Sequence, residues 1–204
     1  MKRRLLIPLV MLLMSTQLNA QRTLIDIATL SDQFAYEVRY ATPNNFMGET
    51  LYPCVACLLY PEVAEALVRA NQYFCKQGYR IKIYDCYRPL DIQKQMWAKV
   101  PNPSYVANPY TTGSVHNRGA AVDITLVTLD GCYVEMGSDY DHFGIEAHID
   151  NFDLPEEVLA NRKLFHEGMR AHGFNTIRTE WWHFNYKKNS GTALNQPLPC
   201  DTKD

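Results

Sequence analysis

Two imidazoles and two carboxylates stand in two short segments of this 204-residue chain. The first segment reads Ser114-Val115-His116-Asn117-Arg118-Gly119-Ala120-Ala121-Val122-Asp123, and the second Glu180-Trp181-Trp182-His183. His116, Asp123 and His183 form a set of two imidazoles and one carboxylate, the kind that leaves a catalytic zinc one open coordination position. Glu180, three residues before the last of them, is suited to take a proton from a water held there. Together the two segments point to a metal-dependent hydrolase.

Bringing these groups together makes demands on the backbone. Residues 121–127 read as a buried strand, with Val122, Ile124 and Leu126 on one face and Asp123 and Thr125 on the other. An acid in such a strand is costly to bury unless it meets a partner or a metal. His116 lies at an odd offset from Asp123, which sets it on the opposite face of a straight strand, so the chain must turn between them. Asn117-Arg118-Gly119 suits that turn, because glycine accepts backbone angles that other residues avoid. A final strand is expected over about residues 177–186, with His183 and Asn185 alternating with Trp182, Phe184 and Tyr186. Glu180 then falls in the approach to the strand, and Trp181 and Trp182 wall the site against water. The plain alternatives are a core or surface histidine at each imidazole, a pairing of Asp123 with Arg118, and a solvated acid at Glu180. His166 and His172 fit a helix better than a ligand set, whereas His142 and His148 are the substitutes if the ligands lie elsewhere.

The rest of the chain predicts helices and mainly antiparallel strands. Residues 34–40 alternate as a strand, and Pro61 opens a helix striped by Val63, Leu67, Ala70 and Phe74 and stopped by Gly78. Residues 79–87 read as a strand, Pro89 opens a second helix to about Val100, and residues 101–113 are a loop. A hairpin through Asp130-Gly131 is expected to return Tyr133 to Met136 beside the strand of Asp123. Asp153 and Pro155 cap and start a third helix, striped by Val158, Arg162, Phe165 and Met169 and ended at Gly173. The expected class is α+β, one domain with a central, mainly antiparallel sheet flanked by helices and the zinc site at the sheet.

Residues 1–20 read as an export signal, with Lys2-Arg3-Arg4 ahead of an apolar run from Leu5 to Met14 and a cut near Ala20. That run is too short to span a bilayer. Residues 21–204 are expected to form the domain, periplasmic or secreted and with no membrane span. Removing Lys2, Arg3 and Arg4 leaves 17 basic residues against 22 acidic ones, which argues against nucleic acid as a partner. Six cysteines in an exported chain suggest structural disulfides among 15 possible pairings. Cys54-Val55-Ala56-Cys57 is the alternative, as a redox pair or half of a zinc ribbon.

Ser114-x-His116-x-x-Gly119-x-Ala121-x-Asp123 and Glu180-Trp181-Trp182-His183 resemble the two zinc motifs of the VanX-type D-alanyl-D-alanine dipeptidases, a branch of the zinc D,D-peptidases. Asp85-Cys86-Tyr87-Arg88-Pro89 resembles a third motif of that family, Tyr40-Ala41-Thr42 with Asn45-Phe46 its N-terminal substrate segment, and Met136-Gly137-Ser138 with Asp141 the segment supplying an acid for the substrate amine. The likeness runs over about residues 34–186. It implies one zinc ion on His116, Asp123 and His183, Glu180 as base, Arg88 at the developing oxyanion, and Asp141, Tyr40 and Ser114 around a small D-amino-acid dipeptide. Cys86 stands where the family pattern suggests a small residue such as glycine, and Cys54 to Cys57 have no family counterpart. The competing readings are a D,D-carboxypeptidase or endopeptidase on longer wall peptides, and a non-catalytic zinc module binding wall fragments. Oligomeric state is not legible in the sequence.

Overall fold

A computed structural model describes residues 23–188 and 191–200. The expected export signal lies outside the described residues. In chain order the elements are β1 (Ile25–Asp26), β2 (Ala35–Tyr36), β3 (Leu58–Leu59), α1 (Pro61–Cys75), β4 (Tyr79–Asp85), α2 (Leu90–Lys99), β5 (Ala121–Thr128), α3 (Glu156–Ala171), β6 (Phe174–Thr176) and β7 (His183–Tyr186). Five strands form one sheet in the order β2-β4-β5-β7-β6, and β1 pairs with β3 in a small second sheet. Within the main sheet only the β2–β4 pair is parallel, so the α+β expectation holds.

The two long helices follow their apolar stripes. Val63, Leu67, Ala70 and Phe74 of α1 and Val158, Phe165 and Met169 of α3 are buried, and Phe74 meets Phe165 across the helix pair. Pro61 sits in the first turn of α1, where its missing N–H costs nothing. β5 is buried along almost its whole length, as expected of a central strand covered on both faces.

Four local expectations fail. The strand at residues 34–40 shrinks to β2, because a 3-10 turn at Arg39–Ala41 lifts Tyr40 off the sheet edge. Beyond Gly131 the return strand is reduced to one bridge between Val127 and Tyr133. The last strand is confined to β7, and β6, which has no marked alternation of its own, takes the sheet edge beside it. Asp153 does not cap α3; Pro155 holds that position without a side-chain hydrogen bond.

Candidate active site

Register across the middle of the sheet builds the floor of the site. Asp85 of β4 faces Asp123 of β5, and Asp123 faces His183 of β7. Residues paired directly across strands project to the same face, so these three polar side chains form a row across the middle of the sheet. An irregularity between Ile83 and Asp85 adjusts the end of β4 so that Asp85 joins the row.

His116 joins from outside the sheet. It opens a 3-10 turn, His116–Arg118, that ends at Gly119 with φ +60°. The turn expected between His116 and Asp123 is therefore present and uses a left-handed glycine. A side chain at Gly119 would also press on the end of the Leu24 side chain, which would have to shift, so the backbone angle is what requires glycine. Ser114 Oγ accepts the His116 N–H (3.2 Å) and Asn117 Oδ1 accepts the Ser114 N–H (2.9 Å), closing the turn.

The three expected ligands converge. His116 Nε2 lies 3.2 Å from His183 Nδ1 and 3.2 Å from Asp123 Oδ1, and His183 Nδ1 lies 3.0 Å from the same oxygen. All three residues are buried. Their outer atoms are each engaged: His116 Nδ1 with the Cys86 carbonyl at 2.6 Å, His183 Nε2 with Asn185 Oδ1 at 3.0 Å, and Asp123 Oδ2 with the Tyr140 hydroxyl at 3.0 Å. Both outer partners of the imidazoles offer acceptor oxygens, so with a cation on the inner nitrogens each ring would carry its proton on the outer one. The inner nitrogens are then bare lone pairs aimed at a carboxylate oxygen, an arrangement that a cation satisfies and hydrogen bonding does not. The donor set fits zinc. Without a cation the rings instead share protons with Asp123: burial alone would raise its carboxyl, and the charge and hydrogen bonds of His116, then those of His183, overcome that and hold it far below the usual carboxylate range.

Glu180 lies in the approach to β7, with Oε2 3.8 Å from His183 Nδ1. Burial pushes its carboxyl up to about 7; the charges of Asp123 and Asp141 add to this, against His183 and Arg88. Such a group is poised to exchange a proton near neutrality. Asp141 is held at φ +59°, a costly angle for a residue other than glycine. Burial, then the nearby Asp123 charge, push its carboxyl up to about 8, while the Tyr40 hydroxyl donates to it at 3.0 Å.

Arg88 follows β4 and is buried. Its Nε and Nη2 donate to Asp85 Oδ2 at 3.0 and 2.7 Å, and Nη1 donates to Gln93 Oε1 at 2.9 Å. A guanidinium has five N–H donors, so two remain beyond these three. The guanidinium also lies over the Tyr40 ring, 5.2 Å from its centroid. Asp123 does not pair with Arg118, which reaches the Thr112 carbonyl instead.

One cavity of about 230 Å³ is lined by Tyr40, Arg88, Ser114, His116, Asp123, Asp141, Glu180 and His183, so every expected site residue meets there. Phe46, Tyr105 and Phe143, from three separate loops, line it too; Phe143 stacks on Tyr105 at 4.7 Å and tilts against Phe46 at 5.2 Å. Trp182 walls the cavity but Trp181 does not: it is fully buried and its indole N–H donates to Ser138 Oγ. The sequence reading missed Tyr140, Asn185 and Gln93. Asn185 stands two residues from His183 on the same strand face, which is the signal that would have found it. His166 Nε2–H donates to the Trp181 carbonyl at 2.9 Å, with burial pushing the ring down to about 4; His142 pairs with Glu146, and neither it nor His148 lines the cavity, so neither substitutes as a ligand.

Two disulfides form, Cys54–Cys200 and Cys57–Cys86, while Cys75 and Cys132 stay free. Cys54 and Cys57 bond to different partners, which removes the redox-pair and zinc-ribbon alternatives.

A buried two-histidine, one-carboxylate cluster beside a raised glutamic acid, at the centre of an α+β sheet, defines a metallopeptidase. The chain belongs to the D-ala-D-ala dipeptidase family (Peptidase_M15), which matches residues 20–204. The chain is 33% identical to the D-alanyl-D-alanine dipeptidase of Escherichia coli (strain K12) over 178 residues, covering 87% of this chain and 90% of that one. It is 29% identical to the Enterococcus faecium enzyme of the same name, covering 73% and 84%, and 30% identical to that of Enterococcus faecalis, covering 80% and 88%.

Proposed function

We propose that this chain hydrolyses D-alanyl-D-alanine to two D-alanines with one zinc ion held by His116 Nε2, Asp123 Oδ1 and His183 Nδ1. The convergence of those three atoms in one cavity with Glu180 and Asp141 carries the reading. Zinc bound there supplies Lewis acidity toward a water and the scissile carbonyl. Glu180 takes the proton of the attacking water and delivers it to the leaving amine, a task suited to a carboxyl raised to about 7. The two remaining Arg88 donors face the carbonyl oxygen as its negative charge develops. Asp85 and Gln93 fix the guanidinium beforehand, so little reorganisation accompanies the reaction.

Substrate length follows from Asp141. With Tyr40 it receives the ammonium of a free dipeptide, whose positive charge favours ionisation of the raised carboxyl. Ser114 lies in the same wall. A cavity of about 230 Å³ falls below the roughly 300–1,000 Å³ of sites for drug-sized ligands, and a longer stem peptide would have to pass Asp141 and the stacked Phe143–Tyr105 pair. Residues 1–20 act in this reading as an export signal, with the domain over 21–204 working outside the cytoplasm. The two disulfides support that compartment. Among the described residues no helix is long and apolar enough to cross a membrane.

The test is hydrolysis of D-Ala-D-Ala against a D-Ala-D-Ala-terminated pentapeptide by zinc-loaded protein, with Glu180→Ala alongside. The dipeptide is expected to be cleaved far faster, and Glu180→Ala to keep zinc while losing turnover. Preferential cleavage of the pentapeptide, or full activity in Glu180→Ala, would overturn the reading.

A further inference from the structure

The Cys57–Cys86 bridge joins the residue before β3 to the residue after β4, and both cysteines are buried. The Cys86 carbonyl is the group that holds His116 Nδ1 at 2.6 Å. Cys86 also lies between Asp85 and Arg88, so four consecutive residues carry the buried acid, the imidazole's acceptor and the guanidinium. The β3 segment supports the His116 turn from a second side, through a Tyr60 N–H bond to the Gly119 carbonyl at 3.0 Å. Yet β3 is a two-residue strand paired only with two-residue β1. Its main-chain tie to the segment after β4 is the Tyr87 N–H bond to the Leu58 carbonyl at 3.1 Å. A covalent bond therefore reinforces a seam that backbone pairing holds only thinly.

We propose that the Cys57–Cys86 disulfide is a positioning element of the metal site: it fixes the carbonyl that orients His116, and the chain holds zinc at full affinity only while the bridge is closed. The proposal rests on the reading of His116 as a ligand. Hydrogen-bond partners of metal-bound histidines set the ring orientation and tautomer, and their loss costs about 10–100-fold in metal affinity. Opening the bridge leaves the carbonyl in place but frees it to move, so the low end applies, about 10-fold.

The experiment compares full-length wild type, Cys57→Ala/Cys86→Ala and Cys54→Ala/Cys200→Ala. Zinc alone is the probe, titrated in competition with a chromophoric chelator, and imidazole NMR reports the His116 tautomer in the metal-free protein. Loss of the Cys57–Cys86 bridge is expected to weaken zinc binding about 10-fold and to blur the Nδ1–H tautomer. Loss of Cys54–Cys200 is expected to lower stability while leaving zinc affinity within about threefold. Cys57→Val/Cys86→Ala keeps apolar volume at the site and serves if the alanine pair does not fold. Wild-type zinc affinity in a folded variant lacking the bridge, or equal weakening in both bridge variants, overturns the proposal. Failure of the ligand reading looks different: His116→Ala would bind zinc as wild type does, and the proposal would fall with it.

Discussion

Replacing Asp85 by alanine removes the most heavily bonded side chain of the site. Asp85 is completely buried, and its two oxygens accept four hydrogen bonds, from the Tyr52 hydroxyl (2.8 Å), the Cys86 N–H (2.9 Å) and Arg88 Nε and Nη2 (3.0 and 2.7 Å). Asp85→Ala leaves Arg88 as a buried cation with Gln93 as its remaining close hydrogen-bond partner and Asp123 at 3.7 Å. Breaking a buried ion pair from one side costs about 3–5 kcal/mol. Stranding the Tyr52 hydroxyl and the Cys86 N–H adds about 1–3 kcal/mol each, most of which admitted water recovers. The expected loss is about 4–6 kcal/mol, a large share of the roughly 5–15 kcal/mol that holds a domain folded. Asp85→Asn, which keeps the shape and an acceptor, is expected to lose about half of that. Urea unfolding of chelator-treated protein reads the loss as a lower midpoint at unchanged slope. In a cycle with Arg88→Ala the two losses are expected to be strongly non-additive, since each single change pays for the other's isolation. A loss under about 1 kcal/mol for Asp85→Ala, or additive losses, would refute the argument that the pair acts as one buried unit.

Tyr140→Phe keeps the ring stacked on Tyr84 and deletes the bond to Asp123 Oδ2; zinc affinity is expected to fall about 10-fold, and an unchanged chelator competition would remove Tyr140 from the site. The metal-free protein is expected to lose stability as pH rises from about 5 to 8. Asp141 and Glu180 have folded pKa values of about 8 and 7, above their ordinary values, so the folded chain binds more protons than the unfolded chain in that window. Asp141→Asn is expected to flatten that slope in urea midpoints taken across the range; an equally steep slope would contradict the burial of Asp141. Phe143→Ala removes one ring of the Tyr105 and Phe46 contacts and is expected to raise pentapeptide hydrolysis relative to the dipeptide at least severalfold; an unchanged ratio would exclude the aromatic cluster as a limit on length.

The motifs were legible because each writes its constraint into neighbouring residues. Asp123 in an apolar alternation announces a buried acid that needs a partner, and Gly119 announces the turn that brings His116 back to it. The long helices were legible for the same reason: α1 and α3 repeat their apolar residues at the helical period, and burial against the sheet follows that stripe. Short edge elements were not. β2 and β6 are two and three residues long and are strands only because a neighbour supplies their hydrogen bonds. The expected return strand at Tyr133 to Met136 had suitable residues but no such partner beyond one bridge.

The sequence by itself determined which residue types could hold a metal, move a proton and carry a positive charge, because those are properties of side chains and of local turns. Tertiary structure decided how they meet. Strand register sets Asp85, Asp123 and His183 in one row, and a contact from outside the sheet brings the Cys86 carbonyl to His116. It also chose the Cys57–Cys86 and Cys54–Cys200 bridges from the possible pairings and turned Trp181 into the core. The physical reason is that local periodicity fixes which way a side chain points from its own backbone, whereas register, bridge partners and outer hydrogen bonds depend on distances between segments far apart in the chain.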